Sequence, residues 1–423
     1  MQEAKEKFKL VFKDRVLRNR ILITLGLLVI ARLLAVIPLP GIDASRLGSL
    51  LSTNQFLSLF NIFSGGGLSS FSIVLLAVGP YVTASIVMQL LTVLVPKFKS
   101  MYQEEGDAGR RKFSQYSRML TVPLALLQGY AFIILLEKQA VLPTLALGRL
   151  GIDLVILVAG SMLLVWIGEL ITEFGIGNGI SLIIFAGIVS RLPANIGQLL
   201  FTYDASQLPV YIAAIVAMIA VIFGVVYISE AERPIPVTYS KPTHGGTAGR
   251  SVSTYLPLRV NQAGVIPIIF ALSILLFPQM ILQFLVTSSN LSVAHISNSL
   301  LALLNNQWFY AATYFVLVFV FTYFYTAVTF DPDQISENLQ KSGGYIPGVR
   351  PGNSTAEYIS RILLRLTLVG ALFLAVIAVL PLVLRALTGA QSLAIGGTAL
   401  LIVVSVVIDL VKKIDAQVSA QEY

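Results

Sequence analysis

Few side chains in this sequence could do covalent chemistry. The two histidines, His244 and His295, fall in polar stretches on opposite sides of long apolar runs, and neither belongs to an HExxH pair that would hold zinc. No GxxxxGK[ST] loop is present to cradle a phosphate. The glycine-rich stretch Gly175–Gly179, GIGNG, lacks the preceding strand of a dinucleotide site and reads as a tight turn. The chain has no cysteine, which excludes disulfides, thiolate catalysis and cysteine-ligated metals. The pattern implies no catalytic residue, no metal and no cofactor. Asp153, Glu169 and Asp409 lie within apolar runs, where ion-coupled transporters keep proton or sodium sites, but all three sit near the ends of those runs, and structural pairing is their plainer role. Arg32 is the deepest charge; its stem either snorkels to the surface or pairs inside a bundle. What remains is a set of arginines on polar loops, Arg250, Arg259 and Arg350, whose rigid fork suits carboxylates on a protein or phosphates on RNA, against the default of simple solvation.

The elements that position these residues are membrane spans. Of 423 residues, 56% are hydrophobic and 12% charged, where a soluble domain carries about 25% charged residues. A hydrocarbon core of about 30 Å needs about 20 apolar residues per helix. Ten segments qualify: Ile21–Ile37, Phe71–Val95, Met119–Leu136, Ile152–Ile171, Ile180–Ser190, Leu208–Ser229, Ala263–Val286, Trp308–Phe330, Ile362–Leu384 and Leu393–Val411. The fifth is short and either stops there or runs on through Pro193 to Ile196. An all-α membrane fold of ten helices follows. Ahead of the first span, Phe8, Val11, Phe12 and Val16 make one apolar face among basic residues, which reads as a helix lying on the bilayer surface. IPLPGID follows that span with no small-residue cleavage pattern, so the span is read as uncleaved.

Two polar loops stand out between spans. Asp331–Tyr358, DPDQISENLQKSGGYIPGVRPGNSTAEY, has 28 residues, and connections beyond about 12–15 residues are usually functional or disordered. This one carries local signals: Asp331 or Asp333 to cap a short helix, Ile335 and Leu339 on one face of it, and Gly343 and Gly344 to end it. The other, 230–261, alternates as a hairpin does, with Ile235, Val237 and Tyr239 before the turn-rich HGGTAG and Val252 and Tyr255 on the return.

Basic residues set the orientation. With both termini in the cytosol, 23 of the 29 Lys and Arg residues lie inward, five lie outward (Arg46, Lys138, Arg149, Arg191 and Arg385), and Arg32 lies within the first span. The positive-inside rule favours this topology. The net charge of +8 is largely that asymmetry together with attraction to anionic lipid, and argues little for nucleic acid. The chain also divides into two related halves of five spans. Spans two and seven then correspond, and both carry a proline, Pro80 in VGPYVTASIV and Pro267 in AGVIPIIFAL. Such matched interruptions mark the working centre of inverted-repeat proteins, and a proline inside a helix permits a kink, so these two helices are the expected moving parts. Proline is also simply common in membrane helices.

Several runs match a known family. FNIFSGGGLSSFSI, GPYVTASIVMQLLTVLVP, EGDAGRRKFSQYSR, ITEFGIGNGISLIIFAGIV, YLPLRVNQAGVIPIIFA, ENLQKSGGYIPGVRPG and GGTALLIVV together resemble the SecY family of protein-conducting channel subunits, along essentially the whole chain. The resemblance implies ten transmembrane helices in two pseudo-symmetric inverted halves, residues 21–200 and 201–411, with a cytosolic amphipathic segment at 1–20 and a cytosolic tail at 412–423. It implies a passive channel that translocates unfolded polypeptides, clasped by SecE and accompanied by SecG. Signal peptides and nascent chains would be supplied by the SecA ATPase or a translating ribosome. A lateral gate between helices two and three and helices seven and eight would release transmembrane segments into lipid. The implied setting is a bacterial cytoplasmic membrane, or alternatively a thylakoid-type one.

The resemblance also assigns residues. The positions matching the aliphatic pore ring are Val78, Val82, Ile86, Ile184, Ile188, Ile269 and Ile402. An apolar ring offers ions no replacement for lost hydration and no sticky contact for a sliding peptide. Asn61, Ile62, Phe63, Ser64, Gly65, Gly66, Gly67, Leu68, Ser69 and Ser70 match the plug, and the glycines suit a segment of low stability. Pro80, Thr83, Pro267 and Phe277 mark the gate, and Arg250, Arg259 and Arg350 the contact with motor or ribosome. The turn between spans four and five departs from the family pattern, with Phe174 where a basic residue is common. Set against this are a ten-helix transporter of small solutes, a membrane scaffold without a pore and an intramembrane enzyme, the last opposed by the absence of any catalytic motif. The topology is testable because the chain lacks cysteine. Single cysteines at Ser240 and Ser342 should react with impermeant maleimide from the cytosolic side and one at Ser292 from the outside; labelling of Ser342 only from outside would reverse the assignment.

Overall fold

Asp14 opens the first element. Its carboxylate accepts from the backbone N–H groups of Val16 and Leu17, each at 3.0 Å, filling donors that a helix start leaves unpaired. The helix α1 (Arg15–Leu34) follows. The chain was analysed as a computed structural model, which describes residues 14–39, 47–48, 61, 64, 66–103, 105–139, 141–143, 146–193, 197, 208–239, 252–286, 290–388 and 391–419. Phe8, Val11 and Phe12 lie outside those residues.

The order continues α2 (Gly79–Leu94), α3 (Pro96–Gln103), α4 (Gly106–Lys138), α5 (Leu147–Phe174), α6 (Gly179–Val189) and α7 (Leu208–Glu230), then strands β1 (Glu232–Tyr239) and β2 (Val252–Arg259). After these come α8 (Ile266–Val286), α9 (Leu291–Asn305), α10 (Gln307–Thr329), α11 (Pro332–Lys341), β3 (Gly344–Tyr345), α12 (Asn353–Thr388) and α13 (Gln391–Ser419). Among the described residues a helix answers each predicted span: α1, α2, α4–α8, α10, α12 and α13. Of these, α4, α5, α8, α10 and α12 are each long and apolar enough to cross a membrane alone, while α2 and α3 form a pair bent by 112°. Leu25, Val29, Leu33, Ile215, Ile219, Leu368 and Leu372 project from α1, α7 and α12 and are exposed, the expected state of side chains that face lipid.

The structure corrects two expectations and decides a third. The second helix starts at Gly79 rather than Phe71, because residues 72–78 form turns held to α5. Ser161 donates to the carbonyl of Ala77 at 2.8 Å, Gly160 lies so close to the carbonyl of Ile73 that no Cβ fits, and both Phe71 and Ala77 take positive φ, 41° and 47°. The fifth helix ends at Val189, with Ser190 as its C-cap, and does not continue as one helix through Pro193. Neither Pro80 nor Pro267 makes a kink. Each is the second residue of its helix, α2 or α8, where the missing N–H costs nothing. The prolines inside helices are Pro123 in α4 and Pro278 in α8.

Packing joins α2 to α4, α4 to α5, and α5 to α6 on one side, and α8 to α10, α10 to α12, and α12 to α13 on the other. The two sets meet where α8 touches α2 and α4, where α10 touches α2, and where α13 touches α6.

The two polar loops fold as one body. The expected hairpin forms, antiparallel from Glu232↔Arg259 to Tyr239↔Val252. The second loop adds β3 to its edge through Thr238↔Tyr345 and Tyr239↔Gly344, giving the order β2-β1-β3. Ile235, Val237, Leu258, Leu339, Ile346, Ile359 and Ile362 close a small core between the sheet, α11 and the start of α12. Asp331 caps α11 by accepting from the N–H groups of Asp333 at 3.0 Å and Gln334 at 3.3 Å, whereas Asp333 lies in the first turn. Asp331→Ala should therefore cost about 1 kcal/mol of local stability. Hydrogen exchange would read it as faster exchange in 333–341 with the transmembrane helices unchanged; unaltered exchange there would discount the cap.

Candidate functional site

Four helices bring aliphatic side chains to one place. Val78 precedes α2 and Val82 and Ile86 lie on it at helical spacing; Ile184 and Ile188 lie on α6, Ile269 on α8 and Ile402 on α13. All seven are buried, none more than 9% exposed, and all belong to one continuous apolar cluster. The sequence reading thus gathered residues up to 324 positions apart, from Val78 to Ile402, into a single cluster.

Space opens on both sides of this cluster. A cavity of about 240 Å³ lies on the side that bears the β-sheet, lined by Asn178, Arg259, Asn261, Tyr325, Asp409 and Lys413 among others. Leu182, Ile266 and Val406 also line it, two, three and four residues from Ile184, Ile269 and Ile402 on the same helices. Asn261 is 8% exposed, and its amide oxygen has no hydrogen-bond partner among the described residues, so the wall of this cavity holds an acceptor ready for a passing donor. On the other side a cavity of about 40 Å³ touches Val78, Val82, Ile184 and Ile269 together with Ser64. A further one of about 20 Å³ touches Val78, Ile184, Ser64 and Arg32. Each is sized for one or two waters. A wider cavity of mixed polarity thus abuts an apolar waist on one side, and two small ones abut it on the other.

Ser64 belongs to the glycine-rich segment 61–70, within which Ile62, Phe63 and Gly65 lie outside the described residues. The remainder is a tight knot of its own hydrogen bonds. Gly66 N donates to Asn61 O at 2.8 Å, Ser69 N to Asn61 Oδ1 at 3.0 Å and Leu68 N to Ser64 Oγ at 3.2 Å. Asn61, Ser64, Gly66, Gly67 and Leu68 are buried, and Ser69 and Ser70 exposed. Through Ser64 the knot lines both small cavities on the side of the waist away from the sheet.

A matching family model, SecY, spans residues 72–411. The SecY translocase subunit of Corynebacterium glutamicum is 42% identical over 97% of this chain and 97% of its own length, and that of Synechocystis is 40% identical over 99% and 96%. The chain belongs to the SecY family. Solved structures share the fold at low identity. One described as a protein-conducting channel has a TM-score of 0.65 at 19% identity, covering 96% of this chain and 93% of its own. Sec61 from a canine ribosome–channel complex has a TM-score of 0.63 at 18% identity, with the same coverage.

The other residues singled out in this SecY-family chain fall as follows. Thr83 and Phe277 line the same 40 Å³ cavity, on facing helices α2 and α8, while Pro80 and Pro267 are buried at the two helix starts. Arg259 lines the large cavity, Arg350 is exposed on the loop after β3, and Arg250 lies outside the described residues. Phe174 ends α5 and is exposed. Of the acids in spans, Glu169 accepts from Arg118 at 3.0 Å, Asp409 sits 3.6 Å from Lys413, and Asp153 lies one turn from Arg149, which supports structural pairing over an ion-coupling site. Arg32 donates to the hydroxyl of Ser190 at the end of α6, in an exposed contact between two helices. Sequence reading missed Arg191, which reaches the glycine-rich knot, and Ser161, which pins the turns before α2. Arg191 carries a signal in hindsight, a cation just past the end of the fifth predicted span.

Proposed function

We propose that this chain is the pore-forming subunit of a protein translocase, a passive channel that conducts unfolded polypeptides across a membrane and releases apolar segments sideways into lipid. The observation that carries this reading is the waist: seven buried aliphatic side chains from both halves of the chain, between a 240 Å³ cavity with charged and amide side chains in its wall and much smaller cavities of about 40 and 20 Å³. An ion entering that waist loses hydration and gains nothing in return, whereas an extended peptide slides past Val, Ile and Leu without binding tightly. The names of the full-length relatives agree with it.

The remaining parts take roles consistent with that centre. Residues 61–70 serve as the plug, since they close the outward side of the waist. The seam where α2 and α4 meet α8 and α10 serves as the lateral gate. The sheet with α11 forms the cytosolic platform, where Arg350 and Arg259 offer forks to SecA or a ribosome, which supply the energy. SecE and SecG complete the assembly, and the basic inward loops sit against anionic lipid of a bacterial cytoplasmic membrane.

Two experiments test the reading. Ile188→Asn combined with Ile402→Asn puts amide groups where ions lose hydration, and should make the resting channel leak ions in planar bilayers; unchanged conductance by inserted protein would reduce the ring to mere packing. For the seam, cysteines at Thr83 and Phe277 should form a disulfide under oxidation, which requires Cα atoms about 4.4–6.8 Å apart. The bond should stop export, and reduction should restore it. Full export with the bond formed would end the lateral-gate assignment.

A further inference from the structure

Arg191 follows directly on the C-cap of α6 and is the cation that reaches the glycine-rich knot. Its Nη2 donates to the carbonyl of Gly66 at 2.9 Å and to the hydroxyl of Ser69. Gly66 has φ +91°, and a Cβ built there would overlap the guanidinium, so the side chain lies in space that only glycine leaves open. The turn from which Arg191 projects is itself held, because Arg32 of α1 donates to the hydroxyl of Ser190. At its other end the knot is tied to the end of α1, where Ser70 donates to the carbonyl of Ala35 at 2.9 Å, and Phe71 accepts from Leu39 N at 2.9 Å.

These two attachments differ in kind. The ties at Ser70 and Phe71 are neutral hydrogen bonds beside the covalent path into α2 and act as a tether. The tie at Gly66 and Ser69 is charge-assisted and comes from α6, the helix that also carries Ile184 and Ile188 of the waist. We infer that Arg191 is a latch, a positioning residue that holds the plug closed and links its release to movement of α6. The inference rests on the plug reading given above. Any widening that carries α6 away from α2 draws the guanidinium off Gly66, so the knot loses its outer attachment as the ring opens, while its internal hydrogen bonds keep it folded on the tether.

The test uses the full chain in its native complex. Leu68 is fully buried in the knot, and the chain has no other cysteine to confuse a probe, so the alkylation rate of Leu68→Cys from the outer side reports the displaced fraction. Loss of a charge-assisted hydrogen bond corresponds to a shift of roughly ten- to a hundredfold in that fraction. Arg191→Ala should accelerate alkylation by that factor and make spontaneous openings in planar bilayers more frequent, and Arg191→Lys, which keeps one charged donor, should recover part of the effect. Arg191→Ala and Ser69→Ala together should raise the rate by less than the product of their separate effects, as partners in one contact do. Unchanged alkylation in Arg191→Ala, or strictly multiplicative effects of the pair, would overturn the latch. Faster alkylation with no change in conductance would instead show that the knot blocks nothing, overturning the plug reading and the latch that rests on it, whereas the Ile188→Asn and Ile402→Asn leak would be untouched.

Discussion

An ion crossing a membrane must keep its hydration or be given something in exchange, and the centre of this molecule offers nothing. Val78, Val82, Ile86, Ile184, Ile188, Ile269 and Ile402 are aliphatic without exception and buried in one cluster, and in the channel reading proposed above such a ring closes the passage by solvation energy as well as by bulk. The surrounding architecture serves that arrangement. The helices that contribute ring residues come from both halves of the chain, and each half is packed mainly within itself. The waist therefore lies where two bodies meet within one shared apolar cluster, and in the proposed reading it widens as they part.

Close approach of backbones makes each body firm. Gly160 of α5 meets the carbonyl of Ile73, Gly179 at the start of α6 lies against the carbonyl of Gly168, and Gly370 of α12 lies against the carbonyl of Val260; at none of these is there room for a Cβ. Small residues let helices pack tightly where lipid supplies no hydrophobic drive for association. Polar ties add to this. The hydroxyl of Thr24 on α1 accepts from Ile176 N at 3.1 Å, locking α1 onto the turn between α5 and α6, and Gln307 donates to the carbonyl of Leu382 at 2.9 Å across α10 and α12.

The spans were legible because membrane helices announce themselves through length and hydropathy, and the hairpin because Ile235, Val237 and Tyr239 alternate. The start of α2 was not. Phe71–Val78 is as apolar as any helix, and only its contact with Gly160 and Ser161 of α5 turns it into a chain of bends. The matched prolines Pro80 and Pro267 were correctly read as corresponding positions but wrongly as kinks, since a helix start and a helix interior look alike in a run of hydrophobic residues. Strand β3 has two residues and no local signal; its partner lies about a hundred positions earlier, in β1. The residues assigned to the ring are ordinary Val and Ile, and nothing in their own neighbourhoods distinguishes them from lipid-facing ones, so their assignment rests on the resemblance of the whole chain.

The three-stranded sheet has a mechanical consequence. Strand β1 continues from α7 with a single residue between, and β2 leads into α8 through Val260–Val265, which is stapled at Val260 N to Ala231 O at 2.9 Å. The second loop is bonded to the edge of the same sheet and shares its core. The sheet is thus a stiff bracket bolted to the end of α7 and the starts of α8 and α12. A push or pull on the loop that carries Arg350 is delivered to α8 as torque instead of being absorbed by slack chain, so whatever grips that loop holds a lever on one wall of the waist.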